Sequence, residues 1–157
     1  MASDWELTLN RLVEILTDAG QSLSTPTDEV RVGEPSTVDG RLVALWYGGE
    51  VESPLGGHTL AKTNFMDRVV VRWYWPVATR QAADAQFLEV VAHDAARATV
   101  SRLFGDVHLT ELTSGIFLLE DTETGWADYG GKWVRTLTIT LGVDLPWTDD
   151  ISPKADA

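Results

Sequence analysis

Residues 69–75 read VVVRWYW, and this alternation constrains the chain more than any other stretch. Val69, Val71, Trp73 and Trp75 fall on one side of an extended strand. Arg72 and Tyr74, with Arg68 before them, fall on the other. Pro76 cannot donate to a ladder, so regular pairing should end near it. An alanine-rich stretch follows at once, with Thr79 placed to cap a helix over residues 80–104. Leu88, Val91, Ala92, Ala95, Ala96, Thr99 and Leu103 recur on one stripe of that helix. Gln86, Glu89, His93 and Arg97 lie along the opposite one, and Gly105 is placed to cap the end. A helix with small residues in mid-stripe can lie close to a sheet, and the tryptophans opposite supply bulk.

The flanking segments extend this unit. Residues 4–19 carry Trp5, Leu9, Leu12, Val13 and Leu16 at helical spacing, with Ser3 or Asp4 as cap and Gly20 as stop. An extended piece near residues 30–33 can pair with the sheet. Residues 41–47 (RLVALWY) form a strand that pairs most simply with residues 65–77 as an antiparallel hairpin. The connection over residues 48–63 has two Gly-Gly pairs and is long for a hairpin. It is either a projecting arm or a solvated loop. Residues 107–120 read as a strand bulged at Ser114-Gly115, and residues 121–131 as a polar loop holding Trp126 and Tyr129. Residues 133–145 form the cleanest strand. Trp133, Arg135, Leu137, Ile139, Leu141, Val143 and Leu145 line one side, facing the helices. Val134, Thr136, Thr138 and Thr140 line the other, suited to solvent or a wet subunit contact. The expected architecture is α+β: a mostly antiparallel β-sheet with two α-helices packed on one face, one domain over residues 1–146, and a flexible tail over residues 147–157.

There is no cysteine, so thiolate and disulfide chemistry are excluded. His58, His93 and His108 have no partner at metal-ligand spacing, and no nucleophile elbow or phosphate-binding glycine loop occurs. No catalytic residue, cofactor or metal is expected. Asp67 lies on the tryptophan side of its strand, as a buried acid or an exposed one at the strand's start. Arg72 can pair with an acid across the sheet or across a subunit boundary. A pocket between sheet and helices, with Asp67, Arg72 or His93 as anchors, would instead suit a small ligand. Of seven tryptophans, Trp46, Trp73, Trp75 and Trp133 are expected in the core, while Trp5, Trp126 and Trp147 lie near element ends or in loops. With 24 acidic and 12 basic residues the net charge is -12, which repels phosphate backbones and argues against sequence-specific nucleic-acid binding. No apolar run is long enough for a membrane span, and the first residues lack a secretion signal, so cytoplasmic synthesis is expected.

The N-terminal LNRLVEILTDAG, the pair LVALWYGG and DRVVVRWYWPV, the helix after it and the closing WVRTLTITLGVDL together resemble the tail terminator and neck (minor tail) proteins of long-tailed bacteriophages. The likeness lies in element order, length and texture and covers most of the chain. It implies a small non-catalytic structural protein of the virion tail or neck. Such a protein forms a ring, commonly a hexamer, that ends tail-tube growth and joins tail to head, with the tail-tube and head-completion proteins as partners. Another head-tail connector or a tail-tube component is the neighbouring alternative. The expected contacts between copies and partners are Gly48, Gly49, Glu50, Glu52, Leu55, His58, Trp126 and Trp147. Glu50, Glu52, Asp149 and Asp150 are expected to line the lumen.

Overall fold

The computed structural model describes residues 4–23, 26–27, 29–52, 65–77, 90–119 and 122–145, with the backbone alone at Glu52. Helix α1 (Asp4–Gln21) is followed by strands β1 (Glu29–Val32), β2 (Leu42–Glu52) and β3 (Phe65–Pro76). Helices α2 (Ala92–Phe104) and α3 (Val107–Leu112) come next, then strands β4 (Gly115–Leu118), β5 (Glu123–Tyr129) and β6 (Lys132–Asp144). The architecture is α+β, with a six-stranded, mostly antiparallel sheet and two main helices.

Strand β3 holds the centre. It pairs antiparallel with β2 on one side and β6 on the other. Val69, Val71, Trp73 and Trp75 are all buried, as their alternation requires, in one core with Val43, Leu45, Leu137, Ile139, Leu141 and Val143. Leu12, Ile15 and Leu16 of α1 and Ala92, Ala95 and Leu103 of α2 cover this face. Both helices therefore lie on one side of the sheet, and the small stripe of α2 sits inward while the His93 side chain is exposed. The short extended piece before β2 is β1, and it pairs parallel. Strand β3 ends at Pro76, near the expected break, although Pro76 still stands opposite Val134 and the Val77 amide donates to the Trp133 carbonyl at 3.1 Å.

The opposite face is less bare than a solvated threonine surface. Val38, Leu42, Ala44, Tyr74 and Val134 form a second, smaller core, with Trp46 and Tyr129 packed on it. The segment between β1 and β2 supplies Val38 by crossing beneath this face, so a parallel pair forms without an intervening helix. Thr140 is buried there as well.

Five local expectations need correction. Residues 107–112 are helix, not strand, and His108 lies within it. Asp106 accepts from the Leu109 amide at 2.9 Å and so caps α3, burying Leu109 on the core. The expected bulge at Ser114-Gly115 is instead the junction between α3 and β4. Residues 123–129 are not a loop but β5, joined to β6 by Gly130 and Gly131. Both glycines have positive φ (65° and 86°), and the Gly131 amide donates to Asp128 Oδ1 at 2.8 Å. This is a two-residue turn whose conformation only glycine adopts readily. Residues 48–52, expected in a loop, extend β2 by half its length. Finally, Gly20 does not stop α1 but lies inside its last turn, where Thr27 packs so closely that a Cβ would meet its hydroxyl at 2.2 Å. Thr79, residues 80–89 of the expected helix and the expected tail over residues 147–157 lie outside the described residues.

Candidate functional site

The far end of the β2–β3 hairpin departs from regular pairing, and the Gly-Gly pair is the reason. Tyr47 pairs with Val69 and Glu50 with Asp67, so Gly48 and Gly49 together oppose Arg68. One extra residue on β2 makes a bulge. Gly49 has φ 91°, which disfavours any side chain. Gly48 lacks room for one, since a Cβ would lie 3.0 Å from Arg68 Cδ and 3.1 Å from Val70 Cγ2.

The bulge resets the phase of the strand. Without it, Glu50 would point to the face opposite Tyr47. With it, Glu50 returns to the Tyr47 side and faces Asp67 directly. Like charges in opposed positions across a strand pair repel. Among the described residues no cation pairs with either carboxylate. Burial, then Glu50, raises the Asp67 carboxyl above its ordinary value. Burial, then Asp67 and Glu50, raises the Tyr47 phenol in the same way. Tyr47 is 50% exposed and stands edge-on to Trp5, with ring centroids 5.5 Å apart. Phe65, at the strand's first position, is 42% exposed. The end of the sheet thus joins two crowded carboxylates to a ledge of aromatic surface. It repels phosphate and offers acceptors and rings to a partner that brings donors.

The expected contact residues divide three ways. Gly48, Gly49 and Glu50 sit together at this end, with Glu52 on the same strand. Trp126 lies elsewhere, on β5, separated from β2 by β6 and β3. Trp126 is half-buried on the main core, edge-on to Trp133 and 5.0 Å above the Arg135 guanidinium. It is Trp133, expected in the core, that is exposed, at 44%. Leu55, His58, Trp147, Asp149 and Asp150 lie outside the described residues. Asp67, Arg72 and His93 do not converge: Asp67 is on the helix side of the sheet, Arg72 on the other, and His93 on the outside of α2. Sequence reasoning missed the ledge of Trp5, Tyr47 and Phe65. The glycine pair at the end of the apolar run was the signal for it, since glycine in a strand often marks a bulge.

Comparison with protein-family models and with curated proteins finds no match for this chain.

Proposed function

We propose that the chain is a tail terminator of a long-tailed bacteriophage, a structural virion protein that assembles into a ring, ends tail-tube growth and joins tail to head. The observation that carries this reading is the bulged end of the sheet. Glu50 and Asp67 face each other there, beside half-exposed Tyr47 and Phe65, at the root of residues 53–64. An isolated chain gains nothing from opposed carboxylates and half-exposed rings, whereas a ring subunit uses both. Aromatic surface supplies contact area between copies. Carboxylates near a channel keep passing DNA from sticking, an effect confined to about 10 Å at moderate salt and so to charges close to the lumen. The fold, the net charge of -12 and the resemblance in element order support the same reading.

Its place is then the virion neck, with further copies of itself, the tail-tube protein and the head-completion protein as partners. Electron microscopy of the purified chain, alone and mixed with tail tubes, tests this. Closed rings, or capping of tube ends, are the expected result. Open tubes built from this chain alone would make it a tube component, and a strict monomer that ignores tubes would refute the assembly role.

A further inference from the structure

On the face of the sheet away from the helices, Arg72 lies in a groove of about 230 Å³ walled by Glu123, Gly125, Trp126, Thr136 and Thr138. Its Nε donates to Thr138 Oγ1 at 2.9 Å, and its guanidinium stacks over Trp46, 5.3 Å from the ring centroid. These two contacts fix the plane of the group. In a chain with twice as many acids as bases, a half-buried arginine should find a carboxylate. Among the described residues Arg72 has none, and even Glu123, on the groove wall, stays beyond ion-pair distance. A neighbouring hydroxyl on this face is buried without a hydrogen-bond partner. The Tyr74 hydroxyl is buried close to Arg72 and Tyr129, yet has no well-formed hydrogen bond.

We propose that this groove is a carboxylate-binding site with Arg72 as its anchor. A planar carboxylate matches the two amino groups in a bidentate pair, which a held guanidinium accepts without further ordering. The Thr136 and Thr138 hydroxyls flank it. One cation in so acidic a molecule suits a single negative charge better than a phosphate dianion. The carboxylate can come from an Asp or Glu of a neighbouring copy or from a small free acid. The site does not depend on the ring, but the first of these sources does.

Two measurements test it. The first follows amide resonances while sodium acetate, with sodium chloride and sodium phosphate as matched controls, is added to the protein. The second follows the mass of the assembly by light scattering. Arg72→Gln is the main variant, with dispersed amide spectra as proof of fold. Thr138→Val, which frees the guanidinium without removing it, is the second. If a free acid is the ligand, acetate shifts Gly125, Thr136 and Thr138, Arg72→Gln abolishes the shifts, and Thr138→Val weakens binding about tenfold, the loss of one ordered contact. If a neighbour supplies the group, Arg72→Gln breaks the assembly and Thr138→Val loosens it. Acetate shifts that survive Arg72→Gln, tighter binding of phosphate, or variants that change neither acetate binding nor mass overturn the proposal. Loss of acetate binding with rings intact leaves the ring reading standing, and a chain that binds acetate through Arg72 but never assembles removes only that reading.

Discussion

Asp106 and Asp67 are both partly sheltered carboxylates near helix α1 or its covered face, and the fold treats them in opposite ways. Asp106 accepts from Arg11 Nε at 3.0 Å and from the Leu109 amide at 2.9 Å, with its side chain only 10% exposed. Arg11 in turn reaches Glu14 on its own helix. One carboxylate thereby caps α3 and ties it to α1. The Arg11 contact, helped by the Leu109 amide, holds its carboxyl below the ordinary value against the opposing effect of burial. Asp67 has Glu50 across from it, and burial followed by that charge raises its carboxyl. The helical layer is locked by a satisfied acid. The sheet's bulged end carries an acid whose ionisation works against the fold. Surfaces that contribute little to their own chain's stability are where contacts with other molecules are built.

The pH dependence follows with opposite signs. Because the Asp106 carboxyl is depressed in the folded state, its contribution is fully present above the ordinary carboxylate value and is lost as pH falls through the depressed one. The Asp67 carboxyl is raised. Its penalty is absent below the ordinary value, where the acid is protonated in both states, and is complete above the raised one. Asp106→Ala is the largest expected effect. Loss of the cap and of a charged hydrogen bond should cost about 2–3 kcal/mol at neutral pH. Urea melts should show the difference from wild type shrinking as pH falls through the acid range; a difference that holds constant would mean packing, not charge, is what Asp106 supplies.

Gly49→Ala comes next. A residue with a Cβ at φ 91° should cost about 1–2 kcal/mol, read from thermal melts. If stability is unchanged, the bulge is not what turns Glu50 toward Asp67. Asp67→Asn should do the reverse of Asp106→Ala and stabilise the chain by about 0.5 kcal/mol at neutral pH, the size of a relieved cross-strand repulsion. That gain should vanish in acid. Smallest is Glu50→Gln, a gain of about 0.3 kcal/mol alone and less when Asp67→Asn is already present. A double-mutant cycle reads the coupling, and strict additivity would mean the two carboxylates do not sense each other.

How far the sequence disclosed this molecule depended on element length. The alternation through Val69, Val71, Trp73 and Trp75 and the stripe of Leu12, Leu16, Ala92, Ala95 and Leu103 spanned enough turns or pleats for their period to be read, and they assemble the main core. Helix α3 has six residues, fewer than two turns, and its Val107 and Thr110 favour strands. Its Asp106 cap was the better evidence, because a capping aspartate acts locally whatever the period. Strand β5 was hidden by Gly125, Asp128 and a charged start, none of which favours a sheet. Only the Gly130-Gly131 turn betrays it, and the long partner β6 imposes it. Of the candidate site, Gly48, Gly49 and Glu50 were legible because they open a connection too long for a simple hairpin. The opposition of Glu50 to Asp67 was not, because it depends on one inserted residue shifting a register by one place.

Strand β6 has a consequence for how the molecule is made. One edge of it pairs with β3 along ten positions, and the other with β5 and then β4. Partners such as Arg72 and Thr138 stand 66 residues apart in the chain. During synthesis, β3 emerges with its tryptophans and an open edge long before β6 exists to cover it. A closing strand that arrives last makes folding slow and leaves the nascent sheet exposed to pairing with its neighbours. On one messenger carrying many ribosomes, those neighbours are other copies of this chain, so the interval before β6 is finished is when correct assembly and aggregation compete.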